Sequence, residues 1–146
     1  MIGRLQRLIA GLWLGSAFFM MLAAAAAFRA AATPNEAADV VGAMLIRWHY
    51  IALGAPLLLF FLELRRVRAL VLVVLFVSIV VATLQGFADL RIRSIRASSD
   101  IPISSMRRDN PIRRQFGILH GISSGLLLMQ GVLAAAVIMT REKSDA

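Results

Sequence analysis

Four apolar tracts divide the chain: residues 8–28, 40–62, 69–88 and 116–140, each 20 to 25 residues long. A helix needs about 20 residues to cross the hydrocarbon core of a bilayer. The first and third tracts carry no charge, the fourth holds His120 and Gln130, and the second has Arg47 and His49 near its start. None alternates apolar with polar residues, and all exceed the roughly 9–11 residues of a transmembrane barrel strand. The pattern predicts an all-α fold, an integral membrane four-helix bundle, with 1–146 as a single domain.

The connections follow from the same reading. Thr33-Pro34-Asn35 is a turn and cap that ends one helix and starts the next. Residues 63–68 form a tight basic hairpin, whereas residues 89–115 make a long loop with seven arginines. The first part of that loop, residues 90–96, is expected to prolong the third helix beyond the bilayer, and Pro102 and Pro111 break up the rest. Pro56 lies inside the second helix and is expected to kink it. Arg4, Arg7 and the alanine run at 23–27 resemble a secretory leader. The apolar tract between them is longer than the 7–15 residues usual for a leader, so it is expected to stay as an anchor.

Composition sharpens this picture. Hydrophobic residues make up 60% of the 146 positions, against about 45–50% in soluble domains. There is no cysteine, which excludes disulfides, zinc–thiolate and iron–sulfur sites and thiol nucleophiles. Sixteen Lys+Arg outnumber eight Asp+Glu, and fifteen of the sixteen are arginine. Because these arginines flank apolar tracts, the expected partners are the lipid bilayer and its anionic headgroups, with no nucleic acid. The positive-inside rule is nearly balanced between the two faces. First-helix dominance and the compact Arg65, Arg66 and Arg68 hairpin favour cytoplasmic termini, and a bacterial inner membrane is the expected location.

Polar residues inside the spans are the candidate functional groups, because each costs free energy to insert. Arg47, His49 and His120 lie near the starts of the second and fourth helices, and Gln85 and Asp89 near the end of the third. Up-and-down topology brings them to one end of the bundle, beside Glu36 and Asp39, and leaves the opposite end with only a basic fringe. A polar-end network of Glu36, Arg47 and Asp89 is expected there, with Arg47 either paired to a carboxylate or snorkelling. His49 and His120 reach comparable depths. Two separate structural histidines is the plainer reading, and a shared haem or metal site the sharper one. No cofactor is expected.

Helices in lipid associate through close backbone contact, for which small residues four apart are the signal. Gly117, Gly121 and Gly125 on the fourth helix, and Gly11 and Gly15 on the first, are expected to pack against other helices within the chain or across a homodimer. Trp13, Trp48 and Tyr50 read as interfacial belt residues. Ser16, Ser78, Ser123 and Ser124 can bond back to their own helices. No phosphate loop, HExxH or GxSxG occurs, so nothing specifies an enzyme.

Trp13-Leu14-Gly15-Ser16 with Phe18-Phe19, then Ala26-Ala27-Phe28, opens the chain in a way that resembles the transmembrane protein 205-like family, or domain of unknown function 4149. Glu36-Ala37-Ala38-Asp39-Val40-Val41-Gly42 and Arg47-Trp48-His49-Tyr50 fill the places of that family's turn and aromatic second helix. Phe116, Leu119, His120 and Ser123 match the start of its fourth helix. Ala27 stands where the family usually has Pro, and Ala38 where it has Gly. The resemblance implies a four-helix membrane protein without an established activity. Three functions remain open: a non-enzymatic scaffold or accessory subunit of a membrane complex, an oligomeric transporter or metal-handling protein using the polar end, and a haem or quinone site on His49 and His120.

Overall fold

A computed structural model describes residues 2–65 and 68–145. Four helices follow one another: α1 (Ile2–Ala30), α2 (Pro34–Leu64), α3 (Ala69–Ala97) and α4 (Pro111–Asp145), with a single 3-10 turn at Ile103–Ser105. All four are long and apolar enough to cross a membrane. The protein is an all-α four-helix bundle of the integral membrane class. Each helix packs on its neighbours in sequence, and α4 closes the ring against α1.

Local chemistry sets the ends. Thr33 is extended at the N-cap of α2 and its hydroxyl accepts from the Glu36 backbone N–H at 3.2 Å, with Pro34 in the first turn, where its missing N–H costs nothing. Asn110 does the same for α4, its carboxamide oxygen accepting from the Ile112 N–H at 2.8 Å, with Pro111 next. The loop between α3 and α4 thereby shrinks to residues 98–110, because α3 continues through Asp89, Arg91, Arg93 and Arg96. Pro56 sits buried within α2, which runs uninterrupted on either side of it. Of the basic hairpin, Arg66 lies outside the described residues.

The core follows a heptad-like stripe on each helix: Gln6, Ala10, Trp13, Ala17 and Met20 on α1, and Ser123, Gln130, Ala134 and Val137 on α4, are buried. That stripe explains two corrections. Gly11 and Gly15 are exposed, and so are Gly117, Gly121 and Gly125; a Cβ added to any of them meets nothing within 4 Å. At 100° per residue, Gly15 is about 200° from Trp13 and from Ala17, and Gly121 and Gly125 are as far from Ser123. Gly11, Gly15, Gly121 and Gly125 therefore point away from the chain's own helices, whereas Gly117 lines a cavity at the end of the bundle. Gly86 and Gly131 make the close approaches instead, to His49 and to the Ala17 methyl.

Trp13 and Trp48 are not belt residues either. Both are buried, Trp13 in a layer with Ala10, Leu59, Val71, Leu75, Ala134 and Val137, and Trp48 in a second layer with Ala17, Met20, Ala52 and Ala82. The Trp48 indole N–H donates to Ser16 Oγ at 3.2 Å, and Ser16 in turn donates to the Trp13 carbonyl at 2.8 Å. Tyr50, by contrast, lies on the outside.

Candidate functional site

The end of the bundle away from both termini holds a cavity of about 860 Å³. Its apolar side comes from α1 (Met20, Ala24, Phe28) and from Val41 and Leu45 of α2. Its polar side comes from Asp89, Arg93 and Arg96 of α3 and from His120, Ser123 and Ser124 of α4, with residues 99–104 of the loop above. The loop is tied down by Ser104, whose hydroxyl donates to the Asn35 side chain at 3.4 Å, and by Arg113, whose guanidinium donates to the Met106 carbonyl.

The helix registers put these groups at matched depths. His49 of α2 abuts Gly86 of α3, and Arg96 donates to Asp39 at 2.7 Å, so one antiparallel register runs along the whole α2–α3 seam. Asp89 is half-buried and accepts a 2.5 Å hydrogen bond from the Ser123 hydroxyl. It lies eight residues, about 12 Å, inside the end of α3. Arg93, His49 and His120 are the charged or titratable groups that act on it across space. One turn deeper, Gln85 is completely buried and neither atom of its amide finds a partner among the described residues.

The polar network expected from sequence is assembled differently. Of Glu36, Arg47 and Asp89, only Asp89 enters the cavity. Glu36 is exposed in the first turn of α2. Trp48 takes the inward position on α2, so Arg47, one residue earlier, is turned outward and makes no ion pair among the described residues. Its long stem leaves snorkelling as its route to the polar zone. Asp39, not Glu36, supplies the inter-helix ion pair, and its partner is Arg96.

The two histidines are also separated by role. His120 lines the cavity and stacks on Phe116, with ring centroids 6.0 Å apart and planes 2° apart. His49 is wedged against Gly86 and does not line the cavity, so the structure does not bring both imidazoles to one pocket. Among the described residues no group of three or more His, Asp or Glu side chains is arranged to hold a metal ion.

The opposite end is more than a basic fringe. Glu63 is completely buried there, where the Gln6 amide donates to it at 3.4 Å and Arg68 approaches at 3.6 Å. Sequence reading placed Glu63 in the surface hairpin. The signal for its burial was its spacing from Pro56 and Leu59, which continues the inward stripe of α2.

Comparison with known protein families, curated proteins and solved structures finds no match for this chain.

Proposed function

We propose that this is a non-enzymatic membrane protein that holds a small amphiphilic molecule in the cavity at its polar end, as a carrier or binding component. The observation that carries the reading is the lining: an apolar wall from α1 and α2 faces a polar floor of Asp89 and Ser123, in a volume of about 860 Å³. Ligand sites typically occupy about 300–1,000 Å³ and combine apolar walls with a few placed polar groups. A half-buried carboxylate inside a membrane span is costly unless a partner or a proton offsets it, which supports a binding role for Asp89.

The test is extraction of the protein purified in mild detergent. The reading expects an amphiphile retained at about one per chain, lost from Ala24→Trp, whose side chain fills the cavity, while helical content is unchanged. An extract without such a molecule, or one that Ala24→Trp leaves intact, overturns it.

A second reading, a scaffold or accessory subunit, is supported by the outward glycine faces of α1 and α4, which no helix of this chain covers. Co-purifying subunits or a homo-oligomer would favour it. Membership of the transmembrane protein 205-like family and a bacterial inner-membrane location with cytoplasmic termini belong to the same proposal. Their support is the motifs at Trp13–Ser16 and Phe116–Ser123 and the arginines between α2 and α3.

A further inference from the structure

The charged groups around the cavity are not equally engaged. Arg96 is paired with Asp39, and Arg113 is held by the Met106 carbonyl. Asp100 is exposed at the loop. Two groups remain. Among the described residues Asp89 has one hydrogen bond, from Ser123, and Arg93, itself exposed, has none; the two act on each other across space without closing to an ion pair. They stand one helical turn apart on α3, about 6 Å along the axis, with Asp89 deeper and Arg93 nearer the membrane surface. The cavity thus presents an acceptor below and a cationic donor above, facing an apolar wall.

Resting on the reading of this cavity as an amphiphile site, the geometry points to a zwitterionic phospholipid as its ligand, with a primary ammonium on Asp89, the phosphate at Arg93 and an acyl chain along Met20, Ala24 and Phe28. Both ends of such a headgroup find the opposite charge, which a purely anionic or purely cationic head does not. A primary ammonium also donates hydrogen bonds to the open carboxylate oxygen, whereas a quaternary ammonium has none to give. Arginine is the better-suited side chain for phosphate, through its planar fork of donors. The apolar wall favours a lipid over a free headgroup.

The experiment is calorimetric titration of the purified chain in nonionic detergent with single-chain lysophospholipids bearing ethanolamine, choline or glycerol heads, and with glycerophosphoethanolamine, which lacks a chain. The expected result is binding of the ethanolamine lipid at least tenfold tighter than the other three probes. Asp89→Asn should remove that preference by weakening the ethanolamine lipid about tenfold, and Arg93→Gln should weaken all three lipids alike. Ser123→Ala keeps the carboxylate and should keep the preference, so a folding defect in Asp89→Asn does not decide the matter. Equal binding of the three lipids, or a preference that survives Asp89→Asn, overturns the assignment while leaving an amphiphile cavity standing. Chain-free glycerophosphoethanolamine binding as tightly as the lipid overturns the lipid source. Absence of binding by every acylated probe overturns this inference and the cavity reading together.

Discussion

Gly86 on α3 is the seat of the His49 imidazole on α2: a Cβ placed on Gly86 would stand 2.6 Å from His49 Nε2 and 2.8 Å from Cε1. At that distance the imidazole would have to shift, so the two residues fit best as a pair. Together with the Asp39–Arg96 ion pair, ten residues toward the polar end on both helices, the contact fixes the sliding register of α2 on α3. Asp89 faces the cavity because of that register.

Gly86→Ala is expected to destabilise the bundle by about 1–2 kcal/mol, the range for modest overpacking where a ring can partly give way. Combining it with His49→Ala should recover most of that loss, since the atoms that collide are then absent. Thermal unfolding in detergent of the four members of this cycle checks the coupling.

Glu63→Ala should lower stability by about 2–3 kcal/mol, because it strips a buried acceptor from the Gln6 amide and from Arg68. Glu63→Gln retains an acceptor for Gln6 and should cost less. The same unfolding assay compares the two.

The indoles provide an optical test. Trp13 and Trp48 are the two tryptophans of the chain, and both are buried. Emission should be that of an apolar surrounding and resist aqueous acrylamide, whereas belt tryptophans would be quenched. Trp48→Phe removes the hydrogen bond to Ser16 and should cost about 1 kcal/mol or somewhat more.

Gly121→Leu should leave the folded monomer within about 0.5 kcal/mol of the parent, as for other outward positions. If the glycine face of α4 joins copies or partner subunits, the same substitution dissociates them, and size-exclusion chromatography separates the two outcomes.

The helices were legible in the sequence because hydropathy reads span length directly, and the Thr33-Pro34 start of α2 was legible because caps are local chemistry. Which face of each helix turns inward was harder. In a soluble helix polar residues mark the outside, but here both faces are apolar, and the inward stripe of α3 carries Ser78 and Gln85 while Phe76 and Phe87 are exposed. For that reason four-residue glycine spacing does not by itself say whether the contact is made within the chain or with another one, and within this chain the glycine positions Gly11, Gly15, Gly121 and Gly125 meet nothing. Asp89 stands out in the sequence by its cost in a membrane, but its Ser123 partner lies on another helix, and only the α3–α4 register shows that pairing.

Beneath the cavity, Trp13, Leu59, Leu75 and Val137 belong to a buried apolar layer drawn from all four helices. Water and ions crossing that layer would have to shed their hydration among alkyl and ring carbons, with the unpartnered indole N–H of Trp13 as a polar atom there. That layer closes the floor of the cavity toward the termini, so a molecule held there would come and go on the polar-end side.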